Sequence, residues 1–119
     1  MTIHAPSKTI NIPTSMSRLF ATEVYRAEMA QPELDHLIKH LDFACRKMAR
    51  EHTAGREWSE KNGVVGYTSY GTIKNMATYA PVFDELKTLI DGQVSHYAQN
   101  LDMDLGGKSL VMQDSWINV

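Results

Sequence analysis

The stretch Ser109–Val119 constrains this chain more than any other. It reads Ser-Leu-Val-Met-Gln-Asp-Ser-Trp-Ile-Asn-Val. Leu110, Val111, Met112, Trp116, Ile117 and Val119 give it high β-propensity, and no proline or glycine interrupts it. Gly106 and Gly107 stand just before it as a turn signal. The pattern predicts a strand entering a sheet. Chain termini are usually polar and superficial, yet this one closes on Trp-Ile-Asn-Val. The expectation is a larger fold divided in its middle, with the chemistry encoded beyond Val119.

Bulk properties narrow the classes. A chain of 119 residues makes at most one domain. Apolar residues at 43% and charged residues at 22% fit a folded globular segment rather than a disordered one. A net charge of −2 is unlike a nucleic-acid footprint. Cys45 is the single cysteine, so no internal disulfide forms, which suits a reducing, cytoplasmic setting. Ser7, Lys8, Asn11, Pro6 and Pro13 interrupt the N-terminal region, so it lacks the apolar core of a signal peptide. No apolar run approaches the ~20 residues that a membrane helix needs.

Two amphipathic helices are predicted. From Pro32 to His52, Leu34, Leu37, Ile38, Leu41, Ala44, Cys45 and Met48 recur at spacings of three and four. Pro32 suits the first turn, and Glu33 and Asp35 suit the positive helix end. From about Pro81 to Leu101, Val82, Phe83, Leu86, Leu89, Ile90, Val94, Tyr97 and Leu101 form a second apolar face. Gly92 inside that helix suggests a close neighbour, since glycine there costs about 1 kcal/mol against alanine.

Around the helices the pattern reads as strand and loop. Residues 1–17 form an extended arm in which Thr9–Ile12 alternates, and residues 18–119 form the domain. Phe20, Val24 and Tyr25 mark a short half-buried strand. Ala54–Thr78 reads as a long excursion ended off from the first helix by Gly55, with a strand around Val64–Tyr70. Asp102–Gly107 turns the chain into the terminal strand. The fold class is α+β: two amphipathic helices packed on a partial antiparallel sheet, whose strands are too few to cover both helices.

The chemical motifs are incomplete. His40-Leu41-Asp42 has the spacing of two ligands of a facial iron site. On a helix, however, residues two apart diverge by ~200°, so they cannot chelate together. His36 and His40 share a helical face, but Leu37 stands where a zinc protease carries glutamate. Cys45 lies in the apolar stripe and reads as an inert thiol. Ser69 and Ser115 lack a nucleophile elbow, and Gly63, Gly66 and Gly71 do not open a helix as a phosphate loop. Asp102 and Asp104 read as turn residues. No catalytic residue and no metal ligand set emerges from the residues themselves.

The order of several segments resembles a family of bacterial 2-oxoglutarate/Fe(II)-dependent oxygenases. Leu19-Phe20-Ala21-Thr22-Glu23-Val24-Tyr25 is similar to that family's Leu-Phe-x-Thr-x-Val-Tyr opening. Gly66-Tyr67-Thr68-Ser69 is similar to its Gly-(Trp/Tyr)-x-Ser segment, and Pro81–Leu86 running on to His96-Tyr97-Ala98 resembles the helix that follows. Ser115-Trp116-Ile117-Asn118-Val119 resembles the Trp-x-Asn strand that leads into the catalytic barrel. The resemblance covers about residues 18–119. It implies the N-terminal portion of a double-stranded β-helix, or jelly-roll, fold. It also implies that Fe(II) and 2-oxoglutarate belong to a full-length homologue, whose iron ligands follow the Trp-x-Asn strand. In this chain it points only to Trp116 and Asn118 as cofactor-binding residues. On a strand they share a face, and the Asn118 amide could hydrogen-bond 2-oxoglutarate or an iron-bound water.

The expected function is therefore the N-terminal part of such an oxygenase, not catalytic alone and acting on an unknown small-molecule or protein substrate. The alternative is a small α+β interaction module that completes its sheet with another chain. A homo-oligomer joined through the unpaired C-terminal strand is the partner this implies. Neither nucleic acid nor membrane is expected.

Overall fold

A computed structural model describes residues 11–119. Thr9, Ile10 and the first part of the predicted arm lie outside the described residues. Among the described residues, three α-helices and one short 3-10 turn carry the architecture. Helix α1 spans Gln31–Glu51, α2 spans Thr53–Lys61, and α3 spans Pro81–Asn100, preceded by the 3-10 turn Met76–Thr78.

Helix α1 begins where Pro32 occupies the first turn and Glu33 faces the positive end, without a side-chain cap on Ala30. It buries Leu37 and Met48 and closes at His52, whose N–H donates to the Met48 carbonyl at 2.8 Å. His52 also precedes α2, so the chain bends there and restarts as a helix. The exposed Arg46–Asp42 pair at 2.9 Å decorates the outer face and adds little, because water screens it.

The core is small. Met48, Tyr67, Met76 and Phe83 are buried against one another, with Leu41, Ala44, Ala49 and Ile117 packed around them. Helix α3 packs on both α1 and the 3-10 turn. Helices α1 and α3 thus pack on each other and on the loop 67–76, not on a sheet, while Ile38, Leu89 and Ile90 of the predicted stripes stay exposed.

This corrects the α+β expectation. The described residues are 49% helical, with 2% in strand or bridge and no sheet. Neither an antiparallel sheet nor a jelly-roll portion is present among them. The predicted strand at Phe20–Tyr25 is unpaired chain: Phe20 adopts φ +61° and is fully exposed, and Val24 is 82% exposed. The predicted strands at 64–70 and 109–119 reduce to one antiparallel bridge, Thr68 to Asn118. The physical reason is a shortage of partners. High β-propensity describes side chains that fit a half-buried pleated surface, and here each segment finds only a few residues of the other.

Two further expectations change. The excursion after Gly55 opens with α2, which runs through that glycine. A Cβ on Gly55 would lie 2.5 Å from His52 Nδ1 and 2.7 Å from the Tyr67 ring. Gly55 therefore serves close approach rather than helix termination. Gly92 has open space where a Cβ would stand, so no neighbour requires it.

Between α3 and the terminal segment, Asp91 works as a clasp. Its carboxylate pairs with Lys87 and accepts the Met112 N–H at 2.7 Å. The hydrogen bond from Lys87, then that from Met112, holds the Asp91 carboxyl below its ordinary 3.8. The ionised form is thus favoured in the folded state. Its contribution is complete above the ordinary carboxylate range and is lost as pH falls through the lowered value. Denaturant melts from about pH 6 to about pH 3 should show stability declining at the acid end, and Asp91→Asn should flatten that part of the profile.

Candidate functional site

The predicted site residues lie on the segment 115–119, so its placement decides what they can do. Tyr67 N–H donates to the Val119 carbonyl at 2.9 Å, and Val119 N–H returns a bond to the Tyr67 carbonyl at 2.8 Å. Ser69 N–H donates to the Ile117 carbonyl at 3.0 Å. The reciprocal bond takes an unusual form. The Ser69 carbonyl already accepts the N–H groups of Thr72 and Ile73, which close a turn. Ile117 N–H donates instead to Ser69 Oγ at 2.9 Å. A serine hydroxyl thus replaces its own carbonyl in the ladder.

A second serine secures the other side of this short strand. Ser59 of α2 is fully buried, and its Oγ accepts the Thr68 N–H at 3.0 Å. Its single proton is shared between the Gly55 carbonyl at 2.7 Å and the more distant Thr68 carbonyl at 3.2 Å. Ser59→Ala would leave the buried Thr68 amide unpaired. The expected cost is about 1–3 kcal/mol in unfolding free energy, measured by urea titration.

The segment's entry is fixed as well. Ser115 N–H donates to the Lys74 carbonyl at 2.9 Å, and Ser115 Oγ accepts the Met76 N–H at 3.1 Å. Residues 115–119 are therefore held by the loop 66–76 at both ends. Ile117 turns toward the core, while Trp116 and Asn118 are exposed.

Trp116 is half exposed and meets Tyr70 edge to face, with ring centroids 5.1 Å apart. Tyr70 meets Trp58 in the same manner at 6.0 Å. Such contacts stabilise by about 0.5–1.5 kcal/mol each beyond area burial. Gly71 completes the row, because a Cβ there would fall 2.0 Å from the Trp58 ring. Trp116 also borders a cavity of about 240 Å³ lined by Cys45, Met76, Phe83, Met112 and Ile117. Burial, then the nearby Asp42 carboxylate, pushes the Cys45 thiol up, which keeps it protonated and unreactive. Asn118 does not border that cavity, and its amide has no hydrogen-bond partner among the described residues.

Beneath this segment, Tyr67 Oη and His52 Nδ1 are 2.9 Å apart. Burial first, then Tyr79 and Cys45, push the Tyr67 hydroxyl up to about 12. The phenol therefore stays protonated and shares a hydrogen bond with His52 Nδ1. This pair anchors the loop to the junction of α1 and α2.

His36 and His40 are exposed, with ring centroids 4.1 Å apart, and His40 Nδ1 lies 2.8 Å from the His36 carbonyl. Among the described residues no three His, Cys, Asp or Glu side chains come together as metal ligands. These residues do not fit an iron centre, and no catalytic step is assigned to them. Among the described residues, too, no helix is long and apolar enough to cross a membrane. The sequence pattern did not single out Ser59, and it marked Ser69 only as a weak nucleophile candidate and as part of the Gly66–Ser69 segment. The one available signal was a small polar residue beside an aromatic at both places, Trp58-Ser59 and Ser69-Tyr70.

No protein-family model matches the chain, and no curated protein matches it.

Proposed function

We propose that this chain is the N-terminal, non-catalytic portion of a 2-oxoglutarate- and Fe(II)-dependent oxygenase. The observation that carries the reading is a meeting of two resembling segments. Gly66-Tyr67-Thr68-Ser69 and Ser115–Val119 carry the resemblance independently, and Ser69 and Ile117 are 48 residues apart in sequence. They nonetheless pair backbone to backbone. On this reading the helices and the loop 66–76 hold the Trp-x-Asn segment in place. The iron ligands and the 2-oxoglutarate anchor are supplied from outside residues 11–119. Trp116 and Asn118 remain the residues of this chain assigned to the cofactor's surroundings, through an aromatic edge and a free amide.

The test is oxygen consumption by the polypeptide encoded when the reading frame is extended past Val119. Uptake that requires both Fe(II) and 2-oxoglutarate supports the reading. A folded, extended product with no such uptake, or a stop codon directly after Val119, contradicts it.

A further inference from the structure

We propose that two copies of the 119-residue chain pair antiparallel through the outer edge of Trp116–Asn118. Trp116 of each copy then lies opposite the partner subunit's Asn118.

The backbone pattern leads to this. In an extended segment, successive residues direct their N–H and C=O groups to opposite sides. Ile117 and Val119 direct theirs inward, to Ser69 and Tyr67. Trp116 and Asn118 therefore direct theirs outward, and among the described residues these groups have no partner. Both side chains are also exposed. Native edges are usually guarded by lysine, proline or a covering element. Here Ser115–Val119 contains neither a charged side chain nor a proline.

The occupant follows from self-complementarity. A two-fold axis through Ile117 sets Trp116 against the partner subunit's Asn118, and Asn118 against the partner subunit's Trp116. In that register every outward N–H and C=O of the two residues gains a bond. A register centred on Trp116 or on Asn118 leaves one of the two without its counterpart in the paired segment. No like charges oppose each other.

The assembly also has a reason to stop at two. The far edge of residues 67–69 is sealed, because Thr68 N–H and C=O both face Ser59 Oγ. Neither copy can add a third at that side, so the contact closes as a symmetric dimer instead of growing into a fibre.

The interface is short and belongs with weak, transient ones, so it should be sought nearer 1 mM than 1 µM in order of magnitude. Sedimentation equilibrium and amide exchange over about that range test it together. The expected result is an apparent mass rising toward twice that of the chain. Exchange at Trp116 and Asn118 should slow several-fold with concentration, while Ile117 and Val119 do not change. Asn118→Pro removes one outward N–H and no inward bond, and proline is tolerated on edge strands. That variant should keep the parent's helical signal and urea midpoint yet stay monomeric. Three results would overturn the pairing: a single-chain mass throughout, a dimer whose Trp116 and Asn118 amides exchange as fast as in dilute solution, or an Asn118→Pro variant that dimerises like the parent.

Discussion

Met48→Ala is expected to cost about 2–5 kcal/mol of unfolding free energy. Met48 is 1% exposed and sits at the centre of the buried cluster with Tyr67, Met76 and Phe83. Truncation removes its transfer free energy and leaves a void that the neighbouring helices cannot close, because Tyr67 is tied to His52 and Met76 lies in the 3-10 turn. The effect is large against the stability available. Folded domains are stable by only about 5–15 kcal/mol in total. Urea unfolding followed by far-ultraviolet circular dichroism should show the midpoint falling steeply, to the point of partial unfolding without denaturant. Phe43→Ala provides the contrast: Phe43 lies on the same helix but is 64% exposed, so its midpoint should move little.

Gly66→Ala should be strongly destabilising, because it combines a strained backbone with a backbone clash. Gly66 adopts φ +91°, which side chains rarely tolerate, and its Cβ would stand 2.4 Å from the Val119 carbonyl oxygen. That oxygen accepts the Tyr67 N–H, so the methyl group and the pairing bond compete for the same space. The strained backbone alone costs about 1–2 kcal/mol. Relieving the clash requires giving up the bond, which adds a cost of similar size. Gly63→Ala separates the two contributions. Gly63 has φ +69° but open space around its Cβ position, so it should incur only the conformational cost. Thermal unfolding of the two variants, with amide exchange at Val119, should show exchange accelerating for Gly66→Ala and remaining near the parent rate for Gly63→Ala.

Much of the helical frame was legible. The spacing predicted helices over Pro32–His52 and Pro81–Leu101, and they occupy Gln31–Glu51 and Pro81–Asn100. Prolines at both starts and long apolar stripes are signals that act within one element, so tertiary packing had little to override. Helix α2 was hidden because Gly55 also looks like a terminator. Its reason for being glycine is Tyr67, a residue from another part of the chain that local pattern does not reveal.

The sheet failed for the opposite reason. Leu110, Val111 and Met112 are β-prone, yet Met112 is held by Asp91 on α3 and Val111 is 63% exposed. Propensity describes what a segment tolerates, while a sheet also needs partners of matching length. Within the candidate site, the common face of Trp116 and Asn118 was readable from the period of two. The fixing of that face by Ser59 and Ser69 was not. A buried serine that supplies a missing ladder bond has the same letter as one dissolved on the surface.

The most direct test of this account is residue-by-residue amide exchange in the dilute chain, at concentrations where it is monomeric. Slow exchange at Ile117 and Val119, alternating with rapid exchange at Trp116 and Asn118, is the predicted pattern. Uniformly rapid exchange across 116–119 would mean that the terminal segment is not held on the loop 66–76, and the account would fail.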